Sequence, residues 1–425
     1  MPTPRASVNQ QCQIGLETTP GTSVAASKLL DAFIWTFGPK IATKQFRGTG
    51  RQHPSASAVL TEYAGGKISG SLDFAQSVYP LSSLFGAATI TTHSGATTVK
   101  DWKWTPALTG SYAANAKTFT LQNGEASDAE QYAYAVFTAF GYNFTRKQEA
   151  QITSDWISQS FTDGVTLTAS PTTVAQYPAT GADFNLYLDS TSAGIGTTQL
   201  LDPLNVAWTA GPFYDPYWPI NRTNASFTSI IDKEKKQELK VKLQGNSTGI
   251  AIKGNYLENG ARCYVRVSGQ GQLIENDVTV GVGAASGGTF TLTYKGQTTA
   301  GIAYNATAGT VQTAFTGLST VGSGNATVTG TAPNWVILLT GTLANDTTAI
   351  TGSGSGLTGG ALVITAAPVY AAFTHDMCLF VAEMSEFGNT DDVFDVEYTF
   401  ILAEDTAWGS GQSQLYTLTN TLTAL

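Results

Sequence analysis

The stretch KISGSLDFAQSVYPLSSLFG, residues 67–86, carries the pattern on which the fold depends. Ile68, Gly70, Leu72 and Phe74 alternate with Lys67, Ser69, Ser71 and Asp73, the period of a strand with one buried face. The spacing then turns helical over Tyr79, Leu81, Leu84 and Phe85, and Gly86 supplies a stop. After the loop DWKWTP (101–106), the runs KTFTLQ (117–122), QYAYAVFTAFGYNFTR (131–146) and QEAQITSDWISQSF (148–161) read as three more strands.

The same order recurs. QELKVKLQ (237–244) sets Leu239, Val241 and Leu243 against Lys240 and Lys242, and GIAIKGNYLENG (249–260) reads as a short helix ending at Asn259-Gly260. RCYVRVSG (262–269), HDMCLFVAEMS (375–385) and DVFDVEYTFILAED (392–405) supply three strands. Each half is preceded by apolar strand material, LLDAFIWTF (29–37) in one and FNLYLD (184–189) with LNVAWTA (204–210) in the other. Residue identity between the halves is slight, so the reading rests on element order.

That alignment exposes an insertion. The first half joins its strands with NGEASDAE (123–130), whereas the second has a block from Val278 to about Ala366 in which only Lys295 and Asp346 carry charge. GTFTLTYKGQTT (288–299), GIAYNA (301–306), NATVTG (325–330), NWVILLTG (334–341) and ALVITA (361–366) read as strands, and TAGTVQTAFTGL (307–318) as a helix. The spacing predicts a module with its own core, including Trp335, Val336, Ile337 and Leu338, projecting from a hairpin tip where insertions are tolerated.

At 425 residues, two or three modules are expected. Abundant Gly and recurrent Thr, Ser, Val, Tyr and Phe in short runs indicate a mostly-β chain. A formal net charge of -9 argues against coating nucleic acid, which needs clustered Lys and Arg. Cys12, Cys263 and Cys378 form no C-x-x-C pair, so neither a disulfide framework nor a thiolate metal site is expected, and a reducing compartment fits. MPTPRASVNQQCQ (1–13) lacks the apolar centre of an export signal, and no run reaches membrane-span length; a soluble chain is expected.

The flanks of the insertion resemble the major tail tube protein of long-tailed phages. The residues concerned are GLETTPGTSVAASKLLDAFIW (15–35), the 67–86 strand and helix, and EDTAWGSGQSQLYTLTNTL (404–422), similar to that family's C-terminal arm. The block 278–366 resembles the Ig-like modules of phage structural proteins through G-T-F-T-L-T-x-x-G-Q-T-T and T-A-x-x-V-Q. The resemblance implies two tandem tail-tube-type β-sandwich or barrel domains, each with a short helix, at 1–170 and at 171–277 with 368–425, plus an outward-facing Ig-like domain at 278–367. It implies a virion protein made in the bacterial cytoplasm that self-assembles into rings stacked around a DNA channel. The partners implied are tape measure, tail terminator and tip proteins, with DNA passing through unbound and weak host-glycan contact by the insert. A tandem repeat implies trimeric rings; without it, hexamers are the default. A surface adhesin binding carbohydrate through the insert is the alternative function.

The same resemblance implies that two segments are contact loops, IATKQFRGTGRQHPSASAVLTEYAGG (41–66) and GPFYDPYWPINRTNASFTSIIDKEKK (211–236). Phe46, Arg47, Arg51, Phe213, Tyr214, Tyr217, Trp218 and Trp408 are the candidate inter-ring or inter-subunit residues, with the subunit's own core as the competing place for the aromatics. Asp73, Asp155, Asp395 and Glu397 are the candidate lumen-facing carboxylates, expected to repel DNA phosphates; Phe394, Val396, Tyr398, Phe400 and Leu402 are expected on the opposite face. No enzyme, cofactor or metal site is expected. Gly245-Asn246-Ser247-Thr248-Gly249 spells a nucleophile-elbow pattern, but His53, His93 and His375 carry no supporting signature. Gly354, Gly356 and Gly359 precede a strand and not a phosphate-binding helix, and are expected to form a flexible turn.

Overall fold

The computed structural model describes residues 10–201, 203–220, 224–344, 346–409 and 411–425; most of the segment read for an export signal, residues 1–9, lies outside them. The first half contains β1 (Gln11–Leu16), β2 (Phe33–Trp35), β3 (Pro39–Phe46), β4 (Ala56–Ser71), α1 (Val78–Phe85), β5 (Lys100–Trp104), β6 (Phe119–Glu125), β7 (Asp128–Phe137), β8 (Phe140–Thr145) and β9 (Gln151–Ser158). The second contains β10 (Phe184–Asp189), β11 (Pro203–Ala210), β12 (Tyr214–Tyr217), β13 (Ser229–Asp232), β14 (Gln237–Gln244), α2 (Ser247–Ile252) and the long β15 (Arg262–Gly281). The insertion holds β16 (Gly287–Tyr294), α3 (Ala308–Thr316), β17 (Ala326–Thr331), β18 (Asn334–Leu339) and β19 (Thr351–Thr358). The chain ends with β20 (Val363–Met384), β21 (Gly388–Thr390), β22 (Val393–Leu402) and β23 (Gln414–Asn420). The fold is mostly β, as its composition indicates.

The repeat is visible in the hydrogen-bonded order of strands. In the first half, β1 pairs with β6, β6 with β7, β7 with β9, β9 with β4, and β4 with β2. In the second, β10 pairs with β15, β15 with β20, β20 with β22, β22 with β14, and β14 with β11. α1 and α2 occupy the same place in each order, after β4 and after β14.

The strand read as continuous over 131–146 breaks at Thr138 and Ala139, where β7 ends and β8 begins. Beyond the break β8 pairs with β9 on one edge and with β11 of the second half on the other. A second tie comes from β23, which pairs with β20 on one side and β5 on the other. Both halves share one hydrophobic core, running from Ile14 through Trp156 and Trp208 to Leu418.

β15 and β20 form one ribbon, paired from Arg262↔Phe380 out to Gly281↔Val363, and the insertion grows from its far end around a separate core. Trp335 and Ile337 enter that core; Val336 and Leu338 are only half-buried, because successive side chains of β18 point to opposite faces. The glycine run 354–359 is not a flexible turn. Most of it lies in β19, which pairs with β16, and a Cβ on Gly356 would sit 2.7 Å from the Thr289 carbonyl oxygen. Glycine serves close strand approach there.

Candidate assembly surfaces

Asp73 is not a surface carboxylate. It is buried at the start of the α1 turn, where Oδ1 accepts from the backbone N–H groups of Ala75 (2.9 Å) and Gln76 (2.7 Å) and Oδ2 accepts from the Tyr177 N–H. Burial pushes its carboxyl up to about 6 against the lowering effect of those donors. Asp395 is buried as well, at the β22 end against Gly388. Asp155 and Glu397 do reach the outer face of the sheet. Phe394 departs from the expected buried set: it is exposed and stacks on exposed Phe387 with ring centroids 4.9 Å apart.

That outer face is continuous across β2–β4–β9–β8–β11–β14–β22–β21, eight strands from both halves. It is lined mainly by small polar residues, among them Ser69, Thr153, Asn143, Asn205 and Thr209. Its charges are mixed. Lys67 lies 3.6 Å from Asp155, Lys240 lies 3.1 Å from Glu238, and Lys242 sits opposite Glu397. The expected acidic wall is therefore a near-neutral polar one, since two of the four named carboxylates are buried and the others face lysines.

The segment expected as a loop at 41–66 is an extended two-stranded ribbon, β3 paired with β4 from Pro39↔Ala64 to Phe46↔Ala56. Every residue from 39 to 60 is exposed, including Ile41, Phe46, Arg47, Arg51, Val59 and Leu60. A ribbon with no buried face is marginally stable in water, so the exposed Ile41, Phe46 and Val59 call for a partner. Its base is braced by the second contact segment: the Glu62 N–H donates to the Ala225 carbonyl oxygen (2.9 Å), and Tyr63 lies edge-on to Trp218.

The aromatics of 211–236 divide. Phe213 and Tyr214 are buried, which removes them as contacts: Phe213 packs edge-to-face on Phe85 of α1, and the Tyr214 hydroxyl donates to the Leu84 carbonyl oxygen at 2.7 Å. Trp218 is half-buried between Tyr63 and Phe227, with its indole N–H on the Ala225 carbonyl oxygen. Tyr217 is exposed. Trp408 lies half-buried, edge-on to Tyr264 of its own chain. Burial decided which aromatics remain available, and periodicity across a proline-rich loop could not show it.

In the nucleophile-elbow pattern, Asn246 caps α2, its side chain accepting from the Gly249 N–H at 3.0 Å. His375 is sealed in the joint between halves, 2.9 Å from the Tyr142 hydroxyl and 3.2 Å from Gln414 Oε1, and burial pushes its imidazole down to about 3. Among the described residues no group of three or more His, Cys, Asp and Glu is placed to hold a metal ion, and the three cysteines are buried and free. No helix among them is long and apolar enough to cross a membrane.

No family model and no curated protein matches the chain. Among solved structures it is similar to a chain from Mycobacterium phage Patience, with 16% identity, a TM-score of 0.21, and alignment covering 50% of this chain and 73% of that one.

Proposed function

We propose that this chain is a non-catalytic structural virion protein, the major tail tube subunit of a long-tailed phage, which polymerises into stacked trimeric rings around a DNA channel. The observation that carries the reading is the eight-strand polar face shared by two repeats of one strand order. Small uncharged side chains and balanced charges make a wall that offers DNA no phosphate-binding cluster, so duplex can slide along it. Strands lie about 4.8 Å apart and tilt by about 45° in closed barrels, so three chains give a bore about 50 Å across between backbones. Six chains double that diameter, far beyond what a duplex needs. The trimer follows.

The exposed β3–β4 ribbon supplies the contact between rings, and the insertion, far along its own ribbon from the polar face, lies outside the tube. Tape measure, terminator and tip proteins are the partners of such a tube, and any glycan contact belongs to the insertion. Negative-stain microscopy of concentrated protein tests the proposal. Hollow tubes or rings are expected; a monomer that binds glycans and never self-associates, even with tail-tip complexes added as initiators, favours the adhesin reading and overturns this one.

A further inference from the structure

Within the eight-strand polar face the two halves meet at one strand pair, β8 against β11, from Phe140↔Ala210 to Thr145↔Asn205. Because the halves share a strand order, this joint has a counterpart whose two sides are both left open. β8 lies along the edge of β9, and the equivalent position along β22 belongs to residues 385–390, including β21. β11 lies along the edge of β14, and the equivalent position along β4 belongs to residues 33–39, including β2. Among the described residues, β2 pairs only with β4 and β21 only with β22. Those two segments are the outer edges of the eight-strand face.

The ladders also fix the register. The last pairs before each helix are Ser71↔Gln151 and Gln244↔Asp395, so these are equivalent. Asn143 lies opposite Gln151 and Gly388 opposite Asp395, which equates Thr145 with Thr390 two residues on. Asn205 lies opposite Lys242 and Ile34 opposite Ser69, each two residues before the last pair, which equates Asn205 with Ile34. The internal pair Thr145↔Asn205 thus translates to Thr390↔Ile34.

We propose that residues 33–39 of one copy pair antiparallel with residues 385–390 of the next, Ile34 opposite Thr390, and that this seam closes the ring as a copy of the joint inside the chain. The inference rests on the ring-forming reading and names the surface that makes the ring. Each edge carries what the internal joint carries. Tyr142 and Trp208 face each other there, 2% and 0% exposed. Their counterparts, Phe387 and Phe37, are 46% exposed and half-buried respectively, and Ile34 is 69% exposed. Burying such side chains favours closure, and pairing removes two open strand edges. The seam is not made within one chain, where among the described residues each of these edges pairs only with its own neighbour, β2 with β4 and β21 with β22.

The test is a double variant, Ile34→Cys with Thr390→Cys, oxidised under assembly conditions and run on a non-reducing denaturing gel. Directly opposed residues of an antiparallel pair have Cα atoms about 4.5–5.5 Å apart, within disulfide reach. The expected result is a covalent ladder that ends at three chains, with none from the wild type, whose cysteines are buried. The control pair Ile34→Cys with Glu386→Cys is four residues out of register, about 13 Å, and stays uncross-linked. A ladder ending at six keeps the seam and removes the trimer. Tubes that form while Ile34→Cys and Thr390→Cys fail to link, or link no better than the control, overturn the seam and leave the tube reading standing; no tubes and no links contradict both. A separate variant, Phe387→Asp at an exposed position, keeps the monomer's melting temperature and loses ring formation if the seam is right, and forms rings normally if it is wrong.

Discussion

Replacing residues 42–61 by Asn-Gly, a two-residue hairpin turn that closes the Ile41↔Glu62 pair, removes nearly all of the β3–β4 ribbon. All but the last of the deleted residues are exposed, and Thr61 is only half-buried, so almost no core area is lost. The unfolding free energy should change by less than about 1 kcal/mol and the melting temperature by a few degrees at most. Assembly should respond differently. Phe46, Val59 and Leu60 are each about half exposed, at 50%, 49% and 46%. Completing the burial of three such side chains contributes about 2–5 kcal/mol per contact, so the concentration needed to assemble should rise roughly thirty-fold to several-thousand-fold. Thermal denaturation followed by circular dichroism reads the first quantity, and light scattering across a dilution series reads the second. A shortened protein that assembles at the wild-type concentration refutes the ribbon as an inter-ring contact; one that unfolds shows instead that the ribbon belongs to the subunit's own core.

Other parts of the structure give separate expectations. Deleting 278–366, leaving Asp277 and Ala367 opposed and joined by a tight turn, should preserve tubes but strip their outer knobs in micrographs; a folded variant that cannot polymerise contradicts the placement of the insertion. Trp208→Ala should cost about 3–5 kcal/mol in chemical denaturation and lower the stability of both halves in one transition, because Trp208 is fully buried in their shared core; two separate transitions argue against that core. The His375 pKa falls from an unfolded value near 6.5 to about 3, so its neutral form contributes stability above pH 6.5 that is lost as the pH drops towards 3, up to about 4–5 kcal/mol. His375→Gln should flatten that part of the stability profile, and an unchanged acid limb contradicts the burial argument. Asp277 has the opposite sign: burial and the neighbouring Glu275 raise it to about 7, so its contribution is lost as pH rises from about 4 through 7. Asp277→Asn should gain stability relative to wild type over that window in pH-dependent melts, and a constant difference would remove the proton from the account.

Much of the architecture was legible because alternation has a period. Lys67–Phe74 and Gln237–Gln244 declared their buried faces, and the uncharged block 278–366 declared itself against its charged flanks. Less was legible wherever long-range pairing decides. The ribbon at 39–64 looked like a loop, since a strand pair with no buried face leaves no apolar alternation. Asp73 read as polar-face by parity, but the strand ends there and its carboxylate turns inward to hold the backbone of the α1 turn. Asp395 kept its parity and was covered by β21, a neighbour five to seven residues away whose hairpin no periodicity signals. Phe213 and Tyr214 were sorted from Tyr217 by contact with α1, more than a hundred residues earlier. The break after Phe137, which frees β8 to join the halves, has no residue signature at all.

The most direct measurement is electron cryo-microscopy of assembled protein, with the symmetry of end-on views determined before any is imposed. Three outer knobs per ring and a continuous β-lined bore about 50 Å across between backbones are expected. Six knobs around a bore twice as wide, or an assembly with the eight-strand face turned away from a central channel, would contradict the trimeric tube.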